Sequence, residues 1–230
     1  MLEYASVRFL AAVLATLPIG HSVSGRALAP VVIGSAPPAH RLLVVGCIHG
    51  TEPAGLALTR ALVRRGVVPG AELVVLPALN ADGCAAGTRW NARGVDLNRN
   101  FPSGWRHSGV PRSVEYSGLR PASEPETRYA MALIRALHPA VTIWFHQHED
   151  RVRAWGRSRA TARRFASLLG GLLPYASVPW PHGTAPNWQN RFFPGTASFV
   201  VELPAGPVPR RLVPRYVTAL RELARVGFVR

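Results

Sequence analysis

Two hydrophobic patterns alternate along this chain. Residues 41–48 run from Arg41 through Leu42, Leu43, Val44, Val45, Gly46 and Cys47 to Ile48 with almost no polar interruption, and 73–79 form a second such run. Continuous apolar runs of this length suit strands buried on both faces of a mostly parallel sheet. Between them Leu56, Leu62 and Val63 recur at helical spacing until Gly66, with Thr51 placed to cap the helix and Pro53 to open it. The turn-forming Asn80-Ala81-Asp82-Gly83 ends the second strand. Further on, the pattern predicts a helix over 124–137, capped by Ser123, carrying Leu133, Ile134 and Leu137 on its apolar face and closed by Pro139. A strand over 141–145, a helix over 158–173, a strand over 197–203 and an amphipathic helix over 213–226 complete the set. Strand and helix signals in alternation predict an α/β fold, a three-layer α/β/α sandwich around a mixed, mostly parallel central sheet.

Residues 80–125 break the pattern. They are rich in Gly, Pro, Asn and Arg and show little periodicity, so a long loop with at most short strands is expected, and such loops in compact domains usually carry function. At the other end, the apolar stretch 9–17 follows Arg8 and reads as either an N-terminal helix or a signal-like segment, giving a division into residues 1–18 and one domain over 19–230. No repeat and no low-complexity tail appears, and no stretch is apolar and long enough to span a bilayer.

Composition changes this picture only in part. The chain has 230 residues, 48% of them hydrophobic, enough for one sizeable core. Its formal charge of +15 raises the question of nucleic acid, yet all 27 basic residues are arginine and none is lysine. They are scattered without a run longer than two and without a recognised binding motif, so no specific nucleic-acid partner is expected. The two cysteines, Cys47 and Cys84, have neither metal-site nor framework spacing and leave the redox compartment open; a cytoplasmic location is preferred to export. Oligomeric state is not legible.

The candidate chemistry begins at His49-Gly50-Thr51-Glu52, which follows the first strand. Catalytic zinc takes three protein ligands from His and carboxylate and keeps a position for water. A His leaving a strand and a Glu in the first turn of the next helix can converge above the carboxyl end of the sheet, where open α/β sheets place their sites. His146 and His148 compete to supply the third ligand, and His146 is preferred because it directly follows the apolar run Thr142-Ile143-Trp144-Phe145 and so has the firmer support.

With His49-Gly50-Thr51-Glu52, Asn80-Ala81-Asp82-Gly83, Gly87-Thr88-Arg89 and Gly94-Val95-Asp96-Leu97-Asn98-Arg99-Asn100-Phe101 in order, the chain resembles the zinc carboxypeptidase family. It looks most like the compact bacterial members that include murein peptide amidases. The resemblance runs from Ile19-Gly20-His21-Ser22 to Glu202-Leu203-Pro204. It implies one zinc ion on His49, Glu52 and His146, and Glu202 as the carboxylate that activates water and then protonates the leaving amine. It further implies that Asn98 and Arg99 hold the substrate's terminal carboxylate, that Arg89 stabilises the oxyanion, and that Asp96 orients His49. Chemistry agrees with each role. Glu202 stands in an otherwise apolar strand, where an ionisable side chain needs a task or a partner. Arg99 can grip a carboxylate through two parallel hydrogen bonds, which lysine cannot. Arg93 lies close enough to Arg89 in sequence to compete for its role.

One departure stands out: the stretch Trp180-Pro181-His182-Gly183-Thr184-Ala185-Pro186-Asn187-Trp188 lacks the mobile tyrosine of the family's typical peptidases. Ala185, Pro186 and Asn187 fall where side-chain selectivity is expected, and none is charged, which argues against a pocket for basic terminal residues. The resemblance therefore implies a zinc metallocarboxypeptidase acting on a small peptide or muropeptide with a free carboxylate. An N-acyl amino acid deacylase of aspartoacylase type and a non-catalytic protein binding carboxylate-ended peptides or wall polymers are the alternatives.

Overall fold

The protein is described by a computed structural model covering residues 17–229; the N-terminal segment 1–16 lies outside the described residues. Among the described residues, nine strands and six α-helices follow in the order β1 (Gly20–His21), β2 (Ala27–Leu28), β3 (Val31–Gly34), β4 (Arg41–Val45), α1 (Ala54–Arg65), β5 (Glu72–Leu76), α2 (Ala81–Ala86), α3 (Pro125–Leu137), β6 (Val141–Gln147), β7 (Arg151–Ala154), α4 (Arg159–Leu168), β8 (Tyr175–Ser177), α5 (Ala185–Phe192), β9 (Ala197–Leu203) and α6 (Val213–Val226). Seven strands form the central sheet in the order β3-β5-β4-β6-β9-β7-β8, and β1 pairs with β2 apart from it. The middle of the sheet, β5-β4-β6-β9, is parallel throughout; β3 and β7 run antiparallel to their neighbours β5 and β9.

The predicted sandwich is what forms, and β4 shows why. Leu42 and Val44 pack into a core shared with α1, α4 and α6, while Leu43 and Val45 pack into a second core with α3 and α5. Alternate side chains of a strand face opposite ways, so a strand covered by helices on both sides must be apolar at every position. The second core is closed by aromatics, with Phe101 between Trp144 and Trp188 at centroid distances of 6.1 and 6.0 Å. Burial of a side chain of this size contributes about 2–3 kcal/mol, and the Trp144 indole N–H donates to Ser198 Oγ at 3.0 Å.

Several local expectations change. No side chain caps α1 from Thr51; its first free N–H, on Ala54, donates to Gln147 Oε1 at 2.9 Å, so the cap comes from the end of β6. Helix α4 stops at Leu168 rather than continuing to 173, because Gly170 and Gly171 turn the chain with φ of 61° and 85°. The 80–125 stretch contains α2 and a short 3-10 turn at Leu97–Arg99, and no strand. It is held by buried asparagines instead. Asn80 accepts from Gly83 N and donates to Arg89 O, and Asn91 accepts from the N–H groups of Arg93 and Val95. Asn100 donates to Ser117 O, Arg120 O and Ser123 Oγ and accepts from Glu124 N. Cys47 and Cys84, whose spacing suggested no framework, are joined in a disulfide across 37 positions. The pairing follows from the close approach of α2 to the turn after β4. A Cβ on Gly50 would lie 2.0 Å from the Gly83 carbonyl, and only glycine permits that contact.

Candidate active site

The carboxyl ends of β4, β6 and β9 lie side by side, and the site grows from them. His49 sits in the turn after β4, Glu52 just before α1, His146 near the end of β6, and Glu202 near the end of β9, where it is the register partner of His146. All four are at least nine-tenths buried. His49 Nδ1 approaches Glu52 Oε1 at 2.8 Å, and His146 Nδ1 approaches Glu52 Oε2 at the same distance. The three side chains thus converge with ligand atoms within 4.8 Å of one another, and His146 rather than the exposed His148 belongs to the cluster.

This donor set fits one zinc ion: two imidazole nitrogens and a carboxylate, buried at the floor of an open cleft, match a three-ligand site that leaves room for water and substrate. The surroundings fit as well. A carboxylate can only accept, so the contact between His49 Nε2 and Asp96 Oδ1 at 2.9 Å places a proton on Nε2 and leaves Nδ1 as the ligand atom. Burial disfavours the His49 cation, but Asp96 and Glu52 outweigh it and raise its pKa. Burial likewise opposes ionised Glu52 and Asp96, yet His146 and His49 hold Glu52, and His49 and the arginines hold Asp96, well below the usual carboxylate range. A cation arriving at the cluster takes over the place of the protons these carboxylates attract.

Arg89 ties the cluster together. Its Nη1 donates to Glu52 Oε1 at 3.0 Å, and its Nε and Nη2 donate to Asp96 Oδ2 at 3.0 and 2.9 Å. Arg93 does not compete: its side chain is largely exposed and lies 3.7 Å from Glu124. Asn98 lies beside His146, its Nδ2 3.4 Å from Nε2, and its Oδ1 accepts from Ala185 N. Arg99 donates from Nη1 to Asn98 O and pairs through Nη2 with the exposed Glu115 at 3.1 Å. Both Asn98 and Arg99 line the cleft with the metal cluster. Arg99 is held from behind by the 180s loop, where Gly183 accepts from Phe101 N and donates to Ser103 O. A Cβ at Gly183 would strike Arg99 O at 2.1 Å, and its φ of 70° favours glycine too.

Glu202 differs from Glu52. Its Oε2 has no hydrogen-bond partner although it is buried, and burial raises its pKa, with Glu52 and Glu149 adding to the rise and His146 opposing it. Glu202 thus brings a free carboxylate oxygen to the edge of the His49, Glu52 and His146 cluster.

The cleft, of about 220 Å³, is also lined by Gln147, Glu149 and Arg153, to which the sequence assigned no substrate role, and by Trp180, Pro181 and Thr184 from the stretch that lacks the tyrosine. Ala185 and Pro186, expected to set selectivity, are instead buried in α5, where Ala185 serves Asn98 through its backbone. The signal for Arg153 was present only as the placement of β7 beside β9, which the chain pattern does not reveal. His182 faces a neighbouring hollow with Arg99 and Arg106.

Comparison with known proteins follows the same lines. A family model described as zinc carboxypeptidase matches residues 11–167. The chain is 37% identical over 146 residues to murein peptide amidase A of Escherichia coli (strain K12), covering 56% of this chain and 60% of that protein, so less than two thirds of the relative's length is spanned. It is 27% identical over 164 residues to carboxypeptidase M of Mus musculus, covering 60% of this chain and 36% of that one. Among solved structures, murein-tripeptide amidase from Escherichia coli O157 superposes with a TM-score of 0.72 at 27% identity, covering 90% of both chains. Bovine thrombin-activatable fibrinolysis inhibitor superposes at 0.75 with 17% identity over 89% of this chain and 87% of that one, a likeness of fold alone.

Proposed function

The chain belongs to the zinc carboxypeptidase family, and from that premise we propose that it is a zinc-dependent hydrolase that removes the terminal residue of a small peptide or muropeptide bearing a free carboxylate. The observation that carries this reading is the convergence of His49, Glu52 and His146 beside the unpartnered oxygen of Glu202. The relatives named as murein peptide amidases support the muropeptide class.

Each residue then has a task. His49, Glu52 and His146 hold the ion, which supplies Lewis acidity toward the scissile carbonyl and the attacking water. Glu202 Oε2 accepts the proton of that water and returns it to the leaving amine. Burial raises its pKa, which strengthens it as a base, because a carboxylate that binds its proton more firmly takes one from water more readily. Asp96 keeps His49 in the required tautomer, and Arg89 helps keep Asp96 ionised and holds Glu52 in place through a hydrogen bond. Arg89 has a further N–H at the cleft wall to meet the developing oxyanion. Arg99, leaving Glu115 for the substrate, grips the terminal carboxylate beside the Asn98 amide. With no tyrosine on the 180s loop, Trp180, Pro181 and Thr184 form that wall of the cleft.

In place of the cytoplasmic preference read from the sequence, we propose an oxidising compartment, because disulfides persist there and are rare in reducing cytosol. Thiol titration of protein isolated from its native host tests this: two free thiols per chain would reject it. The activity is tested by metal analysis followed by a panel of dipeptides, acyl amino acids and the murein tripeptide, with Glu202→Gln as control. Zinc-loaded protein that cleaves nothing on the panel overturns the hydrolase reading, and a preference for acyl amino acids overturns the peptidase reading.

A further inference from the structure

We propose that Arg153 is the side-chain selector of the cleft, and that the enzyme prefers a terminal residue whose side chain carries a carboxylate. The proposal rests on the peptidase reading and adds the substrate class to it.

Arg153 lies on β7, the antiparallel neighbour of β9, and its register partner is Val200. Directly paired residues share a sheet face; Val200 and Glu202 are two apart on β9, so Arg153 stands on the face of the proposed base. It lines the same cleft as the metal cluster and Arg99. The side chain is 16% exposed and its position is fixed from two sides: the guanidinium lies over the Trp180 ring at 4.9 Å, and Nη2 donates to Pro179 O at 2.9 Å. Its remaining donors are poorly served. Nε is buried without a partner, and Nη1 meets only Glu149 Oε1, at 3.6 Å, beyond hydrogen-bond reach. A guanidinium prefers two parallel bonds to a planar carboxylate, and one held in this manner loses little further freedom on binding it.

Glu149 shows what the position accepts. It is a half-exposed carboxylate drawn toward both Arg151 and Arg153, free to move aside for a ligand that reaches further in. The rest of the wall offers an anion no rival cation apart from Arg89 and Arg99, which have assigned partners and tasks. Thus Arg99 takes the main-chain carboxylate and Arg153 a second one on the side chain. That division explains why the uncharged 185–187 segment plays no part in selection.

The test is a series of blocked dipeptides ending in Glu, Gln, Leu or Lys, assayed with zinc-loaded wild type and with Arg153→Met, which keeps an unbranched stem against Trp180. Wild type should favour Glu over Gln by about tenfold or more in kcat/KM, carried mostly by KM, as expected for a charge-assisted hydrogen-bonded pair. Arg153→Met should abolish that preference and leave the Leu-ended substrate within about threefold of wild type, since a neutral side chain never used the charge. Arg153→Glu should turn the preference toward Lys. Glu149→Gln, which removes an exposed competitor, should improve the Glu-ended substrate about two- to fivefold. Equal rates for Glu and Gln in wild type overturn the proposal. So does a uniform loss across the series in Arg153→Met, because a merely structural arginine would act on every substrate. To separate this from the hydrolase reading, zinc-loaded Glu202→Gln protein is titrated calorimetrically with free glutamate and free glutamine. Tighter binding of glutamate that disappears in the Arg153→Met background upholds the subsite even if the rate assays fail, and equal binding rejects it.

Discussion

Cutting the Cys47–Cys84 disulfide is expected to cost the protein about 3 kcal/mol. The bridge closes a loop across 37 positions, and in the chain-entropy treatment a loop of that length restricts the unfolded chain by about 4 kcal/mol at 25 °C. Reduction returns a little: Cys47 Sγ lies 3.2 Å from His49 O, and a freed thiol there can donate a weak hydrogen bond, at most about 1 kcal/mol. For a chain of this size each kcal/mol shifts Tm by roughly 2–4 °C, so the fall should be roughly 6–12 °C. Scanning calorimetry of Cys47→Ser/Cys84→Ser protein against wild type, both zinc-loaded, measures it. A second reading comes from the same protein. Cys47 lies two residues before His49, and α2 presses on Gly50, so loosening the bridge should also weaken zinc retention during dialysis against a chelator. A Tm change under 2 °C would refute the loop-closure reasoning, and lowered Tm with unchanged zinc retention would refute the link to the metal cluster.

Other substitutions probe the cluster more directly. Asp96→Asn replaces the charged acceptor of His49 Nε2 and of Arg89 with a neutral amide, and zinc affinity measured by competition should fall about 10–100-fold. Glu202→Gln should keep zinc and lower kcat by about 10²–10⁴; retention of more than a tenth of the rate would reject Glu202 as the base. The same variant should raise Tm of metal-stripped protein at pH 7. A carboxyl whose folded pKa lies above its unfolded value stabilises below the unfolded pKa and loses that contribution as pH rises through the folded one. The advantage of Gln should therefore shrink as pH is lowered through the carboxylate range, and an advantage that stays constant with pH would show that charge is not its cause. Arg99→Lys replaces a forked donor with a point charge and should raise KM about tenfold or more with little effect on kcat; equal KM values would remove Arg99 from the clamp.

The parts of this protein that were legible in its sequence are those where one physical demand dominates. Strands β4, β5, β6 and β9 must be apolar on both faces, so their runs stand out, and the ligands follow those runs immediately. Strand β7 gave no such signal: Arg151-Val152-Arg153-Ala154 is short, half arginine and placed near the sheet's edge. Helix α5 was hidden for a related reason. Asn187 and Asn190 are poor helix formers, and the packing of Trp188 against Phe101 and Phe193 overrides them, while Pro186 falls in the first turn where proline is tolerated. The disulfide and the Gln147 cap of α1 depend on which distant segments meet, information that spacing along the chain does not carry. The roles of Asn80, Asn91 and Asn100 in holding the long loop are of the same kind: each satisfies several backbone groups at once, and no periodicity marks a residue for that work.

The reversal of direction between β9 and β7 separates two kinds of change that a lineage can undergo. The candidate zinc ligands and the proposed base stand at the ends of adjacent parallel strands and just before α1, where a shift in one of them disturbs the others. Arg153 is carried by a strand outside that set, joined to it through backbone pairing rather than through the cluster's hydrogen bonds. If Arg153 selects the substrate as proposed, substitutions along β7 can change which terminal residue is preferred without moving the candidate ligands at the ends of β4 and β6 and before α1.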